Sequence, residues 1–244
     1  MRSLALGLFL AVSALPAGAQ PVETVTVDDD SPVGLWKFDV PESVHFALFG
    51  QTKWGPAMTE FCEIEKFRGQ LTAHCPGLHI AGEDVSHGTV ALHGNRLRLA
   101  WGSMLHAMAI NGALGSGQFE GTFSATTLGI SSQAPNPVIG QRLALSANMP
   151  DRAGKAGLLV RSLDEMAKGS FATPLDAKGT NIRILKPETL QALGDVQSII
   201  YIGDKALTVS NDPFNVYDVE FASGHLICEL RQGVDSEITY FDCG

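Results

Sequence analysis

Four cysteines, placed as two short-range pairs, constrain this chain more than any other feature. Cys62 and Cys75 are symmetric about Arg68-Gly69. Cys228 and Cys243 are symmetric about Asp235-Ser236, inside the turn-like run Gln232-Gly233-Val234-Asp235-Ser236. Three pairings are formally open, but a tight turn at each centre sets the members of a pair opposite one another on adjacent strands. Directly opposed residues in a non-hydrogen-bonded antiparallel pair have α-carbons about 4.5 Å apart, within bridging range. The expected bonds are therefore Cys62–Cys75 and Cys228–Cys243, each worth about 3 kcal/mol in the chain-entropy model. A metal knuckle would need a CxxC, and a catalytic thiol would leave the cysteine count odd. The chain must then hold one stapled hairpin in each half.

Disulfides call for an oxidising compartment, and the first residues supply the route. Arg2 is a positive n-region, Leu4 to Leu15 a mostly apolar run, and Ala17-Gly18-Ala19 a small-x-small cleavage site. Residues 1–19 read as a signal peptide, which makes the mature chain secreted or periplasmic. The apolar run falls short of the roughly 20 residues that span a bilayer, and no transmembrane span is expected in the mature chain. Residues 20–30 end in Asp28-Asp29-Asp30 and read as an acidic, disordered lead-in. The formal charge of -9 argues against nucleic acid as a partner.

From 31 to 148 the texture is that of short antiparallel strands. Val85 to His93 and Arg96 to Trp101 flank the two-residue turn signal Gly94-Asn95. Pairing across it sets Leu92 against Leu97, Val90 against Leu99 and Gly88 against Trp101, one apolar face. His93 against Arg96 and Ala91 against Arg98 make the other. Asn111-Gly112 reads as a further turn, Ser131 to Pro137 as a break, and Gln141 to Ala147 as a last strand. Strands at this spacing indicate an antiparallel barrel or sandwich, with the choice, and the interior face, left open. After a linker at 149–153 the pattern changes over 154–244. Gly157 to Lys168 reads as a helix stopped by Gly169, and Pro187 opens a short second helix ending at Gly194. Strands follow at Val196–Ile202, Asn215–Ala222, His225–Arg231 and Ile238–Cys243. The expected class is α+β: an N-terminal β domain, then a small domain whose helices cover an antiparallel meander.

Two resemblances accompany this reading. Gly34-x-Trp36, followed by glycine-spaced strands, resembles the start of lipocalin-like ligand-binding barrels over residues 31–148. Residues 155–244 resemble the cystatin-like or nuclear-transport-factor-like domains appended to some exported bacterial hydrolases. That likeness rests on Leu193 to Ile199, Val216 to Phe221, and Gly224 with the final hairpin. Those hydrolases use a Ser-x-x-Lys nucleophile, and no serine here has lysine three residues later. The resemblance therefore implies a fold without the activity.

Chemistry is sparse. His87 and His93 share a strand face about 20 Å apart, too far to share an ion. There is no HExxH, calcium loop, Gly-x-Ser-x-Gly elbow or phosphate loop, so no metal or cofactor is expected. Glu60, Glu63 and Glu65 cluster on one strand, where two carboxylates could do acid–base work. The candidate ligand-binding residues are Trp36 and Trp101, with Arg96, Arg98, His87 and His93 facing an anionic ligand or partner. The expected function is non-catalytic binding of a small apolar or amphipathic ligand in the β domain, or of another envelope protein. The alternatives are a hydrolase with an unfamiliar site, using Glu60, Glu63 or a His/Ser pair, and a structural envelope module.

Overall fold

A computed structural model describes residues 31–244 apart from 42, 49–50, 56, 77, 81–82, 103–105, 128–129, 132–135, 146–149, 172–180, 206–212 and 234–237. The expected signal peptide, acidic lead-in and Asp235-Ser236 turn lie outside the described residues, as does the side chain of Trp54.

Eight strands form the barrel of the first part: β1 Gly34–Val40, β2 Met58–Phe67, β3 Gln70–His74, β4 His87–His93, β5 Arg96–Gly102, β6 His106–Gly115, β7 Gln118–Thr127 and β8 Asn136–Arg142. Each pairs antiparallel with its successor, and β8 pairs back onto β1. The sheet is thus a closed up-and-down barrel, not a sandwich, and closure leaves it no long free edge. The expected β4–β5 register holds: Val90 faces Leu99, Ala91 faces Arg98, Leu92 faces Leu97 and His93 faces Arg96. Leu97, Leu99 and Trp101 point into the core, whereas Arg96, Arg98, His87 and His93 are exposed on the outer wall.

Two strand boundaries depart from expectation. Asn111-Gly112 is not a turn but lies inside β6, where Gly112 faces Gly121. A Cβ on Gly112 would lie 2.6 Å from the Phe119 ring tip and 2.2 Å from the Glu120 carbonyl, so the glycine is there to admit a ring. The last barrel strand is Asn136–Arg142, earlier than the expected Gln141–Ala147, and it includes Pro137. Proline is tolerated because the β1 ladder along β8 runs only from Ile139 to Arg142, so no bond to β1 is demanded of position 137.

The second part holds α1 Ala156–Ala167 and α2 Pro187–Leu193, then β9 Val196–Lys205, β10 Phe214–Phe221, β11 Gly224–Gln232 and β12 Ile238–Cys243. The four strands form an antiparallel meander in that order. Asp151 accepts hydrogen bonds from the Gly154 and Ala156 N–H groups and so caps the start of α1. Leu159, Leu163, Met166 and Leu190 of the helices pack on Tyr217, Val219, Leu230 and Phe241. With two helices beside twelve main strands, the chain is mostly β, and α+β fits it only loosely.

Period-two alternation gives the meander a second apolar face. Ile200, Ile202, Val216 and Ile227 cluster with Phe61, Leu35, Leu143 and Leu145 of the first part. The outer wall of β1 and β2 is therefore the surface on which the second sheet lies. Both disulfides join as expected, Cys62–Cys75 and Cys228–Cys243, each inside its own part.

Candidate functional site

The barrel's two ends differ. At the end where β1 starts, neighbouring strands join through two-residue turns at Arg68-Gly69, Gly94-Asn95 and Ser116-Gly117. The chain before β1 is tied across this end. Trp36 Nε1 donates to the Pro32 carbonyl at 2.7 Å, and Arg142 Nη1 donates to the Ser31 carbonyl at 2.7 Å. Behind them the interior is filled by aromatic rings. Trp36 stacks on Phe38 at 6.0 Å between centroids, and Phe38 meets Phe119 edge-on at 5.7 Å. Gly140 lies directly beneath these rings, since a Cβ there would come within 2.9 Å of both Phe38 and Phe119. Aromatic side chains bury large areas and need flat, unobstructed ground, which Gly112, Gly121 and Gly140 provide.

The opposite end carries the long connections, residues 41–57, 75–86 and 128–135, with a three-residue link at 103–105. Partly buried side chains occur at both ends, Leu71 and Leu92 beside the two-residue turns and three others here. Met58, Met108 and Ala125 are only partly buried against the core, and Met108 stands between Trp101 and Ala125 in the strand register. Trp101 itself is buried, yet among the described residues its indole N–H has no acceptor. That nitrogen lies over Gly88, where an added Cβ would be 2.4 Å from it. An unpaired buried N–H costs about 1–3 kcal/mol, so among the described residues this end keeps one unspent donor, with the adaptable side chain of Met108 beside it.

The residues singled out from sequence do not converge. Trp36 belongs to the sealed end and Trp101 to the end with long connections. Arg96, Arg98, His87 and His93 line the outside of the same wall. His87 instead stacks on His74 of β3, with ring centroids 4.6 Å apart. Among the described residues, no group of three or more His, Cys, Asp or Glu side chains could hold a metal ion.

Glu60 and Glu63 are both engaged by the second part. Lys205, at the end of β9, is 1% exposed at its side chain and lies 2.6 Å from Glu60 and 2.8 Å from Glu229. Its ammonium also donates to the Pro76 carbonyl at 3.1 Å. Burial raises the pKa of Glu60 and pushes that of Glu229 up to about 8, against the pull of Lys205. Burial works against the charged ammonium of Lys205, but Glu229 and Glu60 more than offset it and hold its pKa above the usual lysine range. Two buried carboxylates thus share one cation, and among the described residues Glu229 Oε2 has no hydrogen-bond partner. His225 Nε2 lies 2.9 Å from Glu63, and its Nδ1 lies 3.5 Å from Asp218, close enough for charge attraction without a directed bond. The hydrogen bond to Glu63 carries the His225 pKa up to about 9. Desolvation raises the pKa of Asp218 despite the neighbouring imidazolium. These contacts clamp the barrel wall to the second sheet. Sequence gave no sign of them, because Glu60 and Lys205 are 145 positions apart (205 minus 60) and no short motif links them.

Compared with protein-family models, curated proteins and solved structures, the chain matches none. The closed eight-stranded barrel is consistent with the lipocalin-like expectation. The comparisons lend no support to the cystatin-like or nuclear-transport-factor-like one.

Proposed function

We propose that this chain is an exported binding protein whose barrel takes up a small apolar or amphipathic molecule through the end with long connections. The asymmetry of the barrel carries this reading. One end is closed by Trp36, Arg142 and the rings of Phe38 and Phe119, while the other presents Met58, and Met108 and Ala125 on the strands beside Trp101, whose indole N–H has no acceptor among the described residues. Binding sites of this kind are mostly apolar with a few placed polar groups, and the Trp101 N–H is such a group. Two disulfides suit an oxidising compartment. No helix among the described residues is long and apolar enough to cross a membrane.

The test is a fluorescence titration of the processed protein with N-phenyl-1-naphthylamine, an apolar dye that brightens when it leaves water. Uptake should be saturable, competed by a long-chain fatty acid, and abolished in Ala125→Trp, which fills the rim. Arg98→Gln, on the outer wall, should bind dye as the parent does. No uptake, or uptake indifferent to Ala125→Trp, would remove the barrel as the binding site.

A further inference from the structure

A second concavity lies away from the barrel interior, where the segment after the barrel meets the edge of the second sheet. It is a cleft of about 440 Å³ lined by Pro150, Arg152, Ala153, Tyr201, Ile202 and Asp204, with Gly203 and Asn215 completing the lining. That volume suits a small molecule.

Two opposite charges face this cleft without neutralising each other. Asp204 is held in place: its Oδ1 accepts from the Tyr201 hydroxyl at 2.6 Å and from Asn215 Nδ2 at 2.7 Å. Asn215 is fixed in turn by Lys155, whose ammonium donates to its Oδ1 at 2.6 Å. Among the described residues, Asp204 Oδ2 has no such bond. Arg152 is exposed and forms no ion pair with any described residue. It is nonetheless near enough to Tyr201 to ease the upward push that burial and Asp204 exert on the phenol. The neighbouring Asp151 keeps its charge but is turned to other partners, its oxygens accepting from Gly154, Ala156 and Tyr217.

An anchored carboxylate and a guanidinium on one cleft, not joined to each other by an ion pair, complement a ligand that carries both charges itself. We propose that this cleft binds a small zwitterion of the α-amino-acid type, its carboxylate on Arg152 and its ammonium on Asp204. Guanidinium–carboxylate contacts are among the stronger hydrogen-bonded pairs. Pro150, Ala153 and Ile202 offer an apolar wall to a side chain, which favours uncharged amino acids such as leucine or valine. This site is independent of the barrel reading.

The experiment is isothermal titration of the processed protein with free L-leucine and L-valine, then with the remaining L-amino acids. Acetate and methylammonium serve as single-charge probes. Leucine or valine should bind saturably, and neither half-probe should bind on its own. Arg152→Gln should weaken binding about tenfold, the equivalent of about 1.4 kcal/mol, with unchanged thermal stability because the side chain is exposed. Asp204→Asn, which keeps an acceptor for Tyr201, should do the same. Dye uptake by the barrel should be untouched in both. The proposal fails if no amino acid binds, or if both variants bind as the parent does. It also fails if acetate alone binds as tightly as leucine, which would make the cleft a simple anion site.

Discussion

Replacing Lys205 by methionine isolates the interface between the two parts. The ammonium is fully buried and serves two carboxylates at 2.6 and 2.8 Å. Methionine fills a similar volume but leaves Glu60 and Glu229 facing each other without a cation. Breaking a buried ion pair from one side costs about 3–5 kcal/mol, because a charge is left uncompensated. The loss should depend on pH, and its sign follows from the carboxylates. Glu229 already has a folded-state pKa of about 8, above its ordinary 4.5. A carboxylate raised in this way adds stability that is fully present below the unfolded pKa and is lost as pH rises through the folded one. Without Lys205 the second carboxylate, Glu60, rises further and behaves alike. Lys205→Met should therefore be mildly destabilised at pH 5, with the deficit growing by about 1.4 kcal/mol per pH unit for each extra proton held. Urea unfolding at pH 5, 6.5 and 8 reads this directly. The double variant with Glu229→Gln should recover much of the loss at pH 8. A deficit under about 1 kcal/mol at pH 8, or one equal at pH 5 and pH 8, would refute the idea that buried carboxylates dominate this contact.

Three further outcomes are expected. Gly88→Ala should destabilise by about 1–3 kcal/mol, since its Cβ would stand 2.4 Å from Trp101 Nε1; an unchanged unfolding midpoint would mean that the indole moves freely. His225, with a pKa carried up to about 9 by Glu63 and Asp218, contributes stability that is fully present below about pH 6.5 and lost as pH climbs through its folded value. His225→Gln should remove this contribution and make the alkaline decline in the urea midpoint shallower, leaving the part that Glu229 sets. Joint replacement of Cys228 and Cys243 by alanine opens a loop of sequence separation 15 and should cost about 3 kcal/mol, measured against the parent under non-reducing conditions.

Local order was legible where one strand pair explains it. The cysteine symmetry gave both disulfides, and Gly94-Asn95 gave the β4–β5 register through to which face carries Arg96 and Arg98. Pro187 and Gly194 marked the second helix for the same reason, because each acts on its own backbone. Glycine misled at 112, because a turn glycine and a glycine beneath a ring look alike in sequence. Only the distant Phe119 decides between them. Barrel closure was invisible as well, since β8 returning to β1 joins segments about a hundred residues apart. The functional reading suffered similarly: Trp36 and Trp101 are alike in type, yet one seals an end and the other sits by a rim. Met58 and Met108, ordinary apolar residues on paper, acquire meaning only from their partial cover.

The alternation along β2 makes that strand a party wall. Cys62 and Ile64 belong to the barrel core, while Phe61 touches Gly203 of the neighbouring sheet and Glu63 holds His225. A guest that widened the lumen would bow this strand outward, and Phe61 has no slack against Gly203, where even a methyl group would stand 2.7 Å from its ring. Occupancy on one side would then be felt on the other as strain on a packed ring and a charged clamp, so filling the barrel and loosening its neighbour become a single thermodynamic event.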